Sequence, residues 1–206
     1  SSGRIPKMLG VPGEKEFLGK GVSTCATCDA PLFQDKTVAV VGGGNSAMEA
    51  IFSLLKIAKK IYIINFNPEL RGDEVLKQQI LSSPNVEHIP NVITHKILGD
   101  GKVTGIESVD TKTAETKRFD VDGVFVEIGY SAQGSTTFDK LTQKDDFGRI
   151  KVNSDLETGI GGLFAAGDVN NLWGEQIVIA AGEGAKAALK AGEYLAKLPK
   201  TNDHYE

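Results

Sequence analysis

The chain has two cysteines, and they stand two residues apart in Thr24-Cys25-Ala26-Thr27-Cys28-Asp29. A pair at this spacing can ligate a metal or open and close a disulfide. A structural zinc needs two further ligands, normally Cys or His. There is no third cysteine, and His88, His95 and His204 are scattered without forming a close pair. A metal site is therefore not expected. Two intervening residues suit a small ring that can break and re-form by thiolate exchange. A plainer reading has two buried, inert sulfurs. If a helix starts near Cys25, its N-terminal dipole lowers a thiol pKa and raises the thiolate fraction. Asp29 would then protonate the thiolate that leaves when the disulfide opens. It could equally be a cap or first-turn acid.

The second candidate follows closely. Val38-Ala39-Val40-Val41 leads into Gly42-Gly43-Gly44-Asn45-Ser46-Ala47, which fits G-x-G-x-x-G/A. Gly42 permits the tight turn, and Gly44 lets backbone approach a pyrophosphate at a helix N-terminus. Ala47 lets that helix lie close on the sheet. A glycine turn serving packing alone is the competing reading. The next strand should end in a residue that reads the adenosine ribose. Here Asn65 brings a hydrogen bond but no charge, and only Arg71 could meet a 2′-phosphate. One cation makes a weak phosphate site, so NADH is favoured over NADPH.

These groups need elements to hold them. The chain has 206 residues, a net charge of −4 and 24 glycines, enough length for one or two domains rich in tight junctions. The acidic balance implies no nucleic-acid partner, and no apolar run is long enough to span a membrane. With no secretory signature and only two cysteines, the expected location is cytoplasmic. Residues 1–23, rich in Gly and Pro, read as a connector with little structure of its own. A strand at 38–41, a helix at 46–59 and a strand at 61–64 make a βαβ unit. A helix at 74–81 and strands at 86–89 and 92–98 follow. The turn Gly99-Asp100-Gly101 leads to strands at 103–109 and 117–121, an antiparallel meander. A strand at 123–129, ending in Gly129, closes an α/β domain over 24–129. Short strands are expected at 148–152 and 163–166, a long small-residue helix at 175–197, and a frayed tail over 198–206.

The motifs together resemble those of the low-molecular-weight thioredoxin reductases and of the flavoprotein subunit of alkyl hydroperoxide reductase. The resemblance rests on the dithiol, the glycine turn, Thr158 with Leu163-Phe164-Ala165-Ala166-Gly167-Asp168-Val169, and Gln176-Ile177-Val178-Ile179-Ala180-Ala181-Gly182-Glu183-Gly184, in order. It implies a Rossmann-like nucleotide-binding domain, a parallel sheet plus antiparallel meander, carrying the C-x-x-C pair. The C-terminal part of an FAD-binding domain then spans 130–197. It implies electrons passing from a nicotinamide through FAD and the Cys25–Cys28 disulfide to a thioredoxin-like or peroxiredoxin-type protein disulfide. By resemblance Cys28 faces the flavin, Cys25 attacks the partner, and Asp29 donates the proton. Gly167, Asp168, Gln176 and Ile177 are the implied FAD contacts, Gly129 is a further expected cofactor-binding residue, and a homodimer is the implied assembly. Where the thioredoxin reductases carry His-Arg-Arg, this chain has Asn65, Phe66 and Asn67. The family's first flavin-binding motif precedes the dithiol, and no counterpart occurs here. FAD would then depend on a preceding segment or another polypeptide. The competing hypotheses are a flavin-free nucleotide-binding or assembly module, and a reductase fed by ferredoxin.

Overall fold

A computed structural model describes residues 1–132, 138 and 140–199. The chain divides into two units, one of Pro6–Gly129, the other of Ser1–Ile5 with the chain from Tyr130 onward. Strand β1 (Arg4–Pro6) begins the chain, and β2 (Val22–Ser23) leads directly to the dithiol. Helix α1 (Ala26–Asp29) runs into a 3₁₀ turn, Ala30–Phe33. Then come β3 (Thr37–Val41), α2 (Asn45–Leu54), β4 (Lys60–Ile64), α3 (Glu74–Leu81) and β5 (Val86–Ile89). The meander is β6 (Val92–Asp100), β7 (Lys102–Asp110) and β8 (Thr116–Asp120), and β9 (Gly123–Val126) returns to the main sheet.

The main sheet has the order β2-β9-β3-β4-β5, and every pair in it is parallel. Side chains alternate strictly between its faces. Val38, Val40, Ile61, Ile63 and Phe125 enter one core with Met48, Ile51 and Leu54 of α2 and Ile80 of α3. Ala39, Val41, Ile64, Val124 and Val126 enter a second core with Ile97, Val103 and Ile106 of the meander. Helices cover one face and the meander covers the other. A sheet buried on both faces needs unbroken apolar strands, which is why 38–41 and 124–126 carry no polar residue.

The structure departs from the expected elements within this unit. The closing strand expected over 123–129 ends at Val126, short of Gly129 with its φ of 95°. The segment 1–23 is no bare connector, because Phe17 and Val22 are buried in the second core and Val22 pairs with Val124. The buried Glu14 carboxylate accepts the N–H groups of Leu9 and Gly10, both at 2.7 Å, and so closes a loop whose Pro12 carbonyl accepts the Ile97 N–H of β6 at 2.9 Å. Helix α2 stops at Leu54 rather than 59. Its end is fixed by Asn85, whose Nδ2 donates to the carbonyls of Leu55 (3.1 Å) and Ala58 (3.0 Å). Strand β6 continues to Asp100 through a register shift at Leu98/Gly99, so the turn narrows to Gly101, at φ 68°.

In the other unit β1 pairs with β10 (Tyr130–Ala132). The expected strands at 148–152 and 163–166 appear only as isolated bridges, Ile150 with Lys144 and Asn170, and Phe164 with Glu157. A strand is stable only with a continuous neighbour, and among the described residues the local core is Ile150, Ala165 and Val169 with Val152 against it. Helix α4 (Ile177–Lys197) is 21 residues long and has no buried residue. It is held by Lys186 and Lys190 to Asp155, and by Tyr194 against Gly161 and Gly162. Among the described residues no helix is long and apolar enough to cross a membrane. The expected frayed tail lies, from Lys200 on, outside the described residues.

Candidate functional site

Four neighbouring strands of the main sheet deliver the candidate chemistry at their carboxyl ends. β2 is followed by Cys25, β9 by Glu127, β3 by Gly42 and β4 by Asn65. Open parallel sheets bind ligands at this edge.

Cys25 and Cys28 are joined as a disulfide, with Cα atoms 5.3 Å apart. Cys25 is the N-cap of α1, and its Sγ accepts the Cys28 N–H at 3.3 Å. The buried Ser23 fixes the Cys25 backbone from both sides. Its hydroxyl accepts the Cys25 N–H (3.1 Å) and donates to the Cys25 carbonyl (3.3 Å). Ala26 and Ala30 are buried in the first core, and the Phe33 ring meets Phe125 of β9 edge-on at 5.0 Å. The turn is thus pinned while Cys28 stays exposed and Cys25 half-buried. Asp29 is half-buried in the only turn of α1 and precedes the 3₁₀ turn without capping it.

The glycine turn is built by close approach. A Cβ on Gly42, at φ 138°, would run into the Glu127 carbonyl. One on Gly43 would come within 2.6 Å of the Asn65 amide. One on Gly44 would meet nothing, so open space lies at the N-cap of α2, where no side chain caps the helix. Asn45, Ser46 and Ala47 form its first turn, their N–H groups lacking earlier helical partners. Space, positive backbone ends and absent side chains suit a pyrophosphate.

Asn65 is buried, and both ends of its amide hold the next loop. Nδ2 donates to the Glu69 carbonyl (3.0 Å), and Oδ1 accepts the Asn67 N–H (3.3 Å). The Arg71 N–H donates to the Gly43 carbonyl at 2.7 Å, which brings its exposed side chain beside the turn.

Two carboxylates that sequence reasoning missed also take part, Glu127 at this edge and Glu183 in the other unit. Glu127 is only 7% exposed. Burial pushes its carboxyl up to about 7, the Glu49 charge on α2 adds to that, and the Ala26 N–H acts against it. The signal was an acid directly behind the apolar run Val124-Phe125-Val126.

The remaining expected residues lie in or beside the other unit. Gly129, at φ 95°, ends the first unit, and its carbonyl accepts the Lys7 N–H at 2.9 Å. Gly167, at φ 77°, donates its N–H to Glu183 of α4 at 2.7 Å, and Asn170 Nδ2 donates to the same oxygen at 2.6 Å. Glu183 therefore fixes the turn that presents the half-buried Asp168. Gln176 is the N-cap of α4 without a side-chain cap bond, and Ile177 is 92% exposed. One carboxylate and one helix N-terminus are too few to hold FAD by themselves.

Residues 1–184 match the family model described as pyridine nucleotide-disulphide oxidoreductase. The chain belongs to this family. Within it, a protein of Ferdinandcohnia aciditolerans named NADH dehydrogenase is 45% identical over 195 residues, covering 95% of this chain and 37% of its own length. An alkyl hydroperoxide reductase subunit of Pseudomonas aeruginosa is 44% identical over 188 residues, covering 91% and 36%. The structure of thioredoxin reductase from Streptococcus pyogenes superposes with a TM-score of 0.86 at 32% identity, covering 95% of this chain and 64% of that one. The five-stranded parallel sheet with its three-stranded meander is the thioredoxin reductase fold. This family member spans little more than a third of the curated relatives it matches.

Proposed function

We propose that the chain is the nicotinamide and dithiol portion of an FAD-dependent disulfide reductase acting on a thioredoxin-like or peroxiredoxin-type protein. The observation that carries this reading is the convergence of the Cys25–Cys28 disulfide and the glycine turn at one sheet edge. Gly42 to Ala47 would hold the pyrophosphate of a nicotinamide nucleotide, with Arg71 beside it. Asp168 and the N-terminus of α4 would contribute to FAD binding in the complete protein. The bound flavin supplies the two electrons that open the disulfide.

What the chain's own residues do is thiol exchange. In the reduced pair the Cys25 thiolate attacks one sulfur of the partner's disulfide. The partner's S–S bond breaks and its leaving thiolate takes a proton, the role that the family resemblance gives to Asp29. Cys28 then attacks Cys25, re-forming the internal disulfide and releasing the partner's second thiol. The partner gains two electrons and the pair loses two. NADH is the favoured donor, because no arginine pair stands at Phe66 and Asn67 to take a 2′-phosphate, and a relative is named NADH dehydrogenase.

The test is trapping. Cys28→Ser leaves Cys25 free to attack but removes the resolving thiol, so a mixed disulfide with oxidised thioredoxin accumulates. Cys25→Ser gives none. Trapping by Cys25→Ser instead would reverse the assignment, and trapping by neither would overturn the reading. NADH should bind the chain more tightly than NADPH in calorimetric titration. Donor activity with reduced ferredoxin and none with either nicotinamide, in protein supplemented with FAD, would replace the donor.

A further inference from the structure

Glu127 is a buried carboxyl group for which the exchange just described has no use. It stands directly after the strand beside β2, and its N–H is tied to the Val41 carbonyl at 2.8 Å. The Ala26 N–H faces its carboxylate. That nitrogen is bonded to the Cys25 carbonyl carbon, so the carboxylate lies against the Cys25 peptide. From α2 it meets a like charge, Glu49. Its own backbone carbonyl lies against Gly42, just after β3, which carries no charge. In the β2–β9 ladder Ser23 stands opposite Phe125, so Cys25 and Glu127 each lie two residues beyond the same rung; the disulfide is uncharged while oxidised, and Asp29 is at the far end of α1.

We propose that Glu127 is a positioning residue of the dithiol, which takes up a proton when the Cys25–Cys28 disulfide is reduced. The inference rests on reading that pair as redox-active. Reduction breaks the S–S bond and adds two electrons. One sulfur takes a proton and the other carries the negative charge. A new anion beside a buried carboxylate raises the free energy of the charged carboxyl, which then binds the second proton. Oxidation by a substrate disulfide removes the anion and returns that proton. Glu127 is already poised for this, since burial and Glu49 hold its carboxyl near neutral pH. The coupling is mutual, so the carboxylate also disfavours the thiolate.

The experiment equilibrates the chain with reduced and oxidised dithiothreitol from pH 6 to 8.5 and counts free thiols by alkylation. It needs neither flavin nor partner. The equilibrium constant for reducing wild type should rise less steeply with pH than that of Glu127→Gln, by up to tenfold per pH unit. The amide still accepts from Ala26 N–H, so the fold is kept. Glu49→Gln removes the like charge and should move the wild-type window to lower pH, which gives a second variant that leaves Glu127 in place. Superimposed curves for wild type and Glu127→Gln would overturn the proposal, as would a Glu127 carboxyl whose ¹³C titration is the same in both redox states. Failure of the thiol-trapping test with the pH difference intact would remove the reductase reading and leave this coupling standing.

Discussion

At the scale of single residues, Glu127 also shapes stability. A carboxyl raised in the folded state binds its proton more tightly there than in the unfolded chain. Its contribution is fully present below the unfolded value, near 4.5, and is lost as pH rises through about 7. Thermal unfolding of the oxidised chain should therefore show stability falling as pH rises from about 4.5 to about 7. Glu127→Gln should flatten this fall, by at most about 3 kcal/mol. An unchanged slope in the variant would show that Glu127 is not the titrating group. The reactive residues themselves were legible: two cysteines and three glycines announce their chemistry by type and spacing. Glu127 was not, because nothing in a run of apolar residues says how deeply its last neighbour is buried. Asn65 shows the same limit from the other side. Its position at the end of β4 was readable, but its use in holding the 65–69 loop depends on Glu69 and Asn67 folding back onto it.

At the scale of elements, β9 is the strand on which the site depends. It lies between β2 and β3, so it joins the strand that leads to the disulfide to the strand that leads to the glycine turn. Phe125 packs into the helical core and supports Phe33, while Gly123 leaves room for the same ring. Phe125→Ala should cost about 3–5 kcal/mol. It should also loosen the turn that carries Cys25, raising the rate at which a small thiol reduces the disulfide. An unchanged reduction rate in the destabilised variant would mean that the turn is not anchored through this ring. The apolar strands could be read from the sequence because both sheet faces are buried. β2 could not, since two residues show no period. The bridges near Ile150 and Phe164 read as strands because they are short and apolar. Pairing needs a neighbour that the local sequence does not encode.

At the scale of the whole molecule, the two units differ in how they are held. Pro6–Gly129 has two apolar cores on a five-stranded sheet. The other unit has a small core and a helix with every side chain at least partly open, including Leu189 and Leu195, with Trp173 93% exposed nearby. Amide exchange should separate them. Protection should concentrate in β3, β4 and β9, and α4 should exchange orders of magnitude faster. Equal protection in α4 would mean that its apolar residues are covered in solution.

The bond from the Lys7 N–H to the Gly129 carbonyl has a consequence for how such a chain can be rebuilt. It places the two ends of the first unit within hydrogen-bonding distance of each other. A segment whose ends meet can be lifted out, transplanted or closed into a ring without strain on its fold. A gene for residues 6–129 should give a monomeric cassette that keeps its disulfide. Head-to-tail ligation through a short glycine linker should raise its melting temperature. If the excised segment is unfolded, the sheet requires the rest of the chain, and the unit is not a module.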